Sequence, residues 1–155
     1  MEILRTPEER FDKLHDYNFV PNYINILDQN LGELRMHYLD EGRQFSKVAL
    51  LLHGEPTWSY LYRNMIPILV KNGIRVIAPD FIGFGKSDKP SDRGSYSYNG
   101  HVDWINIFFR KLNLKNVTLF GQDWGGLIGL RLLCDNQESF NAVMIGNTAL
   151  PLSLI

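Results

Sequence analysis

Cysteine is almost absent from this 155-residue chain: Cys134 is the one thiol, so no internal disulfide can form and no oxidising compartment is required. No apolar run approaches the roughly 20 residues that span a bilayer. The charged start, Met1-Glu2-Ile3-Leu4-Arg5, lacks the apolar stretch of a secretory leader. A cytoplasmic location without membrane contact is therefore expected. Neither sign of charge is in excess: 16 basic residues against 17 acidic ones give a net charge of −1. They are interspersed, which leaves no basic stripe for phosphates and argues against a nucleic-acid partner. Internal repeats, low-complexity tracts and Pro/Gly/Ser linkers are missing as well. With 45% hydrophobic residues the chain reads as one globular unit able to bury a core.

Tyr23 to Leu27 and Leu34 to Leu39 read as two strands joined by a turn around Gln29, Asn30 and Gly32. Val48 to Leu52 is continuously apolar and ends at His53-Gly54, which suits a central strand covered on both faces. From Tyr60 to Lys71 the residues Leu61, Met65, Ile66, Leu69 and Val70 recur at helical spacing, and Asn72-Gly73 supplies a stop. Ile74 to Ala78 is the next predicted strand. Val102 to Leu112 follows as a helix whose Trp104, Ile105, Phe108 and Phe109 can face a sheet. Val117 to Phe120 is predicted as a strand and Gly125 to about Asn136 as a helix, with Cys134 read as a buried apolar residue on it. Val143-Met144-Ile145 closes the series as another buried strand. The βαβαβαβ alternation calls for a mostly parallel sheet with flanking helices.

The chemistry-bearing signal is Gly121-Gln122-Asp123-Trp124-Gly125, a G-x-D-x-G pattern at a strand-to-helix turn. It has the form of the α/β-hydrolase nucleophile elbow, with aspartate where serine is commoner. Side chains two residues either side of a strained turn residue would collide, and Gly121 and Gly125 remove them. Gly126 and Gly129 then allow the helix to approach the sheet. Asp123 could instead be only an N-cap, but capping needs no glycine pair. His53-Gly54-Glu55-Pro56 directly after the apolar strand occupies the place of the loop that supplies one oxyanion-hole N–H. The second donor would be the N–H of Trp124. His53 itself reads as a structural, hydrogen-bonded residue.

Three stretches, His53 to Arg63, Asp80 to Pro90 and Gln122 to Gly126, resemble haloalkane dehalogenase motifs in order, with Glu55 pointing to the subfamily that has glutamate there. The resemblance covers nearly the whole chain but only the first half of that family's α/β-hydrolase fold. It implies that residues 1–155 are a partial core domain truncated before the cap, with the cap and C-terminal strands absent. It further implies that Asp123 is the nucleophile, which displaces halide to give an alkyl ester. Trp124 would be halide-binding, its indole N–H donating to the leaving halide, while the Glu55 N–H would serve the oxyanion hole and its carboxylate would lie near the hydrolytic water. Aspartate suits the first step because it is anionic at neutral pH without a partnering base. Small halogenated alkanes and water are the implied partners, with no metal, no organic cofactor and a monomeric parent. Gly83-Phe84-Gly85-Lys86-Ser87 is not a P-loop, because Asp80 stands where the first glycine belongs. Asp80 and Asp88 are expected in loop hydrogen bonding.

A complete enzyme of this kind needs a histidine base and an orienting acid after the nucleophile. No histidine follows Asp123; His15, His37, His53 and His101 all precede it. His101, near a helix start, is expected to be exposed or capping. The general base and orienting acid are therefore expected outside this chain, and the chain is expected to be an inactive fragment that alkylates once without turnover. If the chain ends at Ile155, Ala142 to Ile145 would be left as an unpaired edge, which predicts marginal stability, association or a truncated reading frame. A sharp two-state melt of a monomer would contradict that expectation. An epoxide hydrolase fragment would use the same aspartate but needs acidic donors from a cap, and Glu55 with Thr57 to Tyr60 argues against it. A non-catalytic hydrolase-like binding protein is the remaining alternative, favoured if Asp123 is inert to every alkyl halide and epoxide in a folded chain.

Overall fold

A computed structural model of the chain describes residues 2–150. The end at Ile155, and with it the expected break before a cap, lies outside the described residues. The strands are β1 (Ile3–Leu4), β2 (Asn22–Asp28), β3 (Gly32–Glu41), β4 (Lys47–Leu52), β5 (Ile74–Pro79), β6 (Lys89–Pro90), β7 (Val117–Gln122) and β8 (Phe140–Gly146). The α-helices are α1 (Met65–Lys71), α2 (Tyr98–Leu112) and α3 (Trp124–Asp135). Six strands form one sheet in the order β2-β3-β5-β4-β7-β8, and β1 pairs with β6 in a small second sheet. β2 and β3 form the predicted hairpin and β3 meets β5 antiparallel, while β4, β5, β7 and β8 run parallel.

The apolar run of β4 is buried on both faces, as its sequence requires. Leu50 and Leu52 pack into a cluster with Trp104, Ile105 and Phe108 of α2 and Ile128 and Leu132 of α3. Ala49 and Leu51 point the other way, into a cluster with Val76, Ala78 and Ile66 of α1. Burying one such leucine stabilises by about 1.5–3 kcal/mol, so β4 anchors both layers and fixes where its C-terminal end emerges.

Several boundaries differ from the sequence reading, each for a local reason. The helix expected from Tyr60 to Lys71 divides into a 3-10 turn, Ser59–Tyr62, and α1. Pro67 has no N–H to donate to the carbonyl four residues back, so it fits only in a first turn. α2 starts four residues before Val102, where the Ser97 hydroxyl accepts from the Gly100 N–H at 3.0 Å and caps it. β8 pairs with β7 on one side only and is the sheet edge, as expected, but it is not buried. Val143, Met144 and Ile145 are exposed, Met144 to 61%. Cys134 is exposed too, because α3 turns Gly125, Gly126, Ile128, Gly129 and Leu132 toward the sheet. Among the described residues no helix is long and apolar enough to cross a membrane.

Candidate active site

The C-terminal ends of β4, β5 and β7 bring three loops together. The turn from β7 into α3 places Asp123 at φ 55° and ψ −124°, a left-handed conformation that costs a non-glycine residue about 1–3 kcal/mol. The two glycines flanking it are there for space. A Cβ on Gly121 would lie 2.7 Å from the Gly125 carbonyl oxygen, and one on Gly125 would overlap the carbonyl oxygens of Leu52 and His53. Gly54 is a third requirement, which the sequence pattern did not reveal: its Cβ would overlap the Asp123 carboxyl. Gly129 brings α3 onto Leu52 and Leu119. Asp123 makes no side-chain cap; its backbone carbonyl accepts instead from Gly126 N–H at 2.9 Å and Thr148 Oγ1 at 2.7 Å.

The carboxylate of Asp123 is held from the β4 loop. Glu55 N–H donates to Asp123 Oδ1 at 2.9 Å, so one of the two predicted donors sits on the predicted carboxylate. Among the described residues no hydrogen bond joins the Trp124 N–H to that carboxylate. The Trp124 side chain is 42% exposed on the wall of a cleft rather than in the core. That cleft has a volume of about 620 Å³, and Glu55, Phe81, Phe84, Tyr96, His101 and Trp124 are among its walls. Phe81, Phe84 and Tyr96 were not legible as walls, because they come from loops without periodicity.

His101 corrects an expectation. It is neither exposed nor a cap but half-buried among rings, 5.0 Å from Trp104 edge to face and 6.1 Å from Tyr96, with Nδ1 buried and without a hydrogen-bond partner among the described residues. Burial first, then the proximity of His53, pushes its pKa down to about 4. His53 is structural, as expected. Its Nδ1 lies 2.9 Å from the Gly54 carbonyl oxygen and its Nε2 accepts from Phe81 N–H at 2.9 Å, and burial pushes its pKa down against the opposing Asp80 charge.

Asp80 is a fully buried hub. Oδ1 accepts from Ser59 N–H at 2.8 Å, and Oδ2 accepts from Lys86 N–H at 2.8 Å and from His37 Nδ1 at 2.8 Å. Burial works to raise this carboxyl, but the His37 bond and its neighbours prevail and hold it below the usual carboxylate range. Asp80 thus serves loop hydrogen bonding as expected, whereas Asp88 ties its loop to β3, accepting from Arg35 N–H at 2.9 Å, and pairs with the Arg5 guanidinium. His37 as the partner of Asp80 was not legible, since 43 residues separate them.

These shifts set an acid limit. The folded pKa of His101 and of His53 lies below the unfolded value of about 6.5, so the unfolded chain binds more protons as the pH falls. Their stabilising contribution is present above about pH 6.5 and is lost on acidification through the window that for His101 ends near 4. A drop of about 2 kcal/mol by pH 5 is expected from His101 alone, read as a lower urea midpoint than at pH 7.5. A midpoint unchanged or raised at pH 5 would contradict this assignment.

Residues 48–154 match the family profile of the alpha/beta hydrolase fold. The haloalkane dehalogenase of Psychrobacter cryohalolentis is 58% identical over 151 residues, which is 97% of this chain and 50% of that protein. That of Mycolicibacterium paratuberculosis is 53% identical over the same share of each. Among solved structures, the tetrameric haloalkane dehalogenase of Paraglaciecola agarilytica superposes with a TM-score of 0.89 at 45% identity, covering 96% of this chain and 50% of that one. An epoxide hydrolase variant from Vigna radiata superposes less closely, at a TM-score of 0.70 and 27% identity over 83% of this chain and 38% of that one. The chain thus spans about half the length of the curated relatives it matches. It belongs to the α/β-hydrolase fold family, and the relatives that match it over nearly its whole length are haloalkane dehalogenases.

Proposed function

We propose that Asp123 is the nucleophile of a haloalkane dehalogenase reaction and that short halogenated alkanes and water are the substrates. Asp123 Oδ2 attacks the halogen-bearing carbon in line; the new C–O bond forms as the carbon–halogen bond breaks, and the halide leaves with the electron pair. The indole N–H of Trp124 donates to that halide, and the N–H groups of Glu55 and Trp124 stabilise the oxyanion when water later attacks the ester carbonyl. Water then supplies the oxygen of the acid and the alcohol departs. The observation that carries this reading is the Glu55 N–H bond to Asp123 Oδ1 at a strained turn, beside a cleft with mostly aromatic and apolar walls. Relatives named haloalkane dehalogenase at 53–58% identity support it over the epoxide reading, whose neighbour is 27% identical.

The second half-reaction needs a base, and no histidine follows Asp123 in these 155 residues. The 155-residue chain is therefore expected to release about one equivalent of bromide from 1-bromobutane and then stop. Trp124→Phe removes a hydrogen bond to a charged leaving group and should slow the burst by roughly tenfold or more. Asp123→Ala should abolish it; a burst of full size in that variant would overturn the assignment.

A further inference from the structure

We propose that Thr57, with His53, is a positioning residue that aims the Glu55 N–H at the Asp123 carboxyl. The proposal rests on the reading of Asp123 as nucleophile. The Gly54 carbonyl and the Glu55 N–H belong to one planar peptide unit, in which C=O and N–H point to opposite sides when the bond is trans. Fixing the carbonyl therefore fixes the N–H. Three donors converge on the Gly54 oxygen: Thr57 N–H at 2.9 Å, Thr57 Oγ1 at 2.8 Å and His53 Nδ1 at 2.9 Å. On the other side of the same peptide, Glu55 N–H reaches Asp123 Oδ1 at 2.9 Å.

The state of His53 follows from its partners. A carbonyl oxygen can only accept, so Nδ1 carries the proton, and a backbone N–H can only donate, so Nε2 is bare toward Phe81. His53 thereby ties the loop after β4 to the loop after β5 at Phe81, and Phe81 lines the cleft. Donors gathered on the carbonyl also polarise the peptide, which makes its N–H a stronger donor toward an oxyanion. None of these contacts touches the reacting carbon; they act through Glu55.

The test separates this role from mere folding. The chain is alkylated with 1-bromobutane and the Asp123 ester is cleaved with hydroxylamine, whose nitrogen attacks the carbonyl as butanol leaves and a hydroxamate remains. Thr57→Val should slow this cleavage about fivefold, the worth of one neutral hydrogen bond, whereas Thr57→Ser, which keeps the hydroxyl, should stay within about twofold of the original. In the unalkylated chain, the Glu55 amide proton resonance should move upfield in Thr57→Val and return in Thr57→Ser, and His53 nitrogen shifts should report a protonated Nδ1 and a bare Nε2. Equal cleavage rates with an unmoved Glu55 amide would overturn the role of Thr57, and a protonated Nε2 would overturn that of His53. Failure of the original chain to take up an alkyl group would sink the nucleophile reading instead, and the amide and imidazole signals would still decide the positioning claim.

Discussion

Gly125→Ala is expected to lower the stability of the chain by about 3 kcal/mol or more, at or beyond the upper end of ordinary overpacking. The added methyl would overlap the carbonyl oxygens of Leu52 and His53, which are backbone atoms at the end of β4 and cannot rotate away. Relief requires α3 to lift from the sheet or the β4 loop to move, and either shift displaces Glu55 from Asp123. Against a typical domain stability of about 5–15 kcal/mol, such a loss moves the urea midpoint far to the left. Gly146→Ala is the matched control: none of the described residues lies within 4 Å of its Cβ position and its φ is not left-handed, so a change within about 0.5 kcal/mol is expected. Equal midpoints for the two variants would show that the close approach at Gly125 is not rigid.

Asp80→Ala carries a comparable expected loss, about 3–5 kcal/mol, because each buried donor left without its acceptor costs about 1–3 kcal/mol. Three donors, Ser59 N–H, Lys86 N–H and His37 Nδ1, would be left facing a void. Ser59 lies two residues beyond Thr57 on the same loop, so the hub also supports the segment that carries Glu55. Asp80→Asn retains an acceptor oxygen and should lose less. An unfolding free energy for Asp80→Ala, from urea titration, within about 0.5 kcal/mol of the original would remove Asp80 from this role.

The sheet was largely legible because period and run length carry it. β4 and β5 were read to within a residue of their observed ends, and the β2–β3 hairpin was visible from its alternation and its turn residues. What escaped depended on contacts between distant segments. Pro67 was overlooked as a limit on where α1 can start, and Ser97 as the cap of α2. Exposure of β8 and Cys134 depends on which neighbours cover them, which periodicity does not record. At the candidate site, Asp123, Glu55 and Trp124 were proposed from a short motif and a resemblance, and the structure brings the first two into hydrogen-bond contact. Gly54, the cleft walls and the His37–Asp80 pair were not found, because each owes its place to loops that meet only in the folded chain.

The central claim is that the Asp123 carboxylate attacks carbon, and peptide mapping by mass spectrometry after incubation with 1-bromobutane tests it most directly. A single butyl group on the peptide containing Asp123, absent from Asp123→Ala and from urea-unfolded chain, is the expected result. A folded chain that gains no mass, or gains it on another residue, would contradict the account.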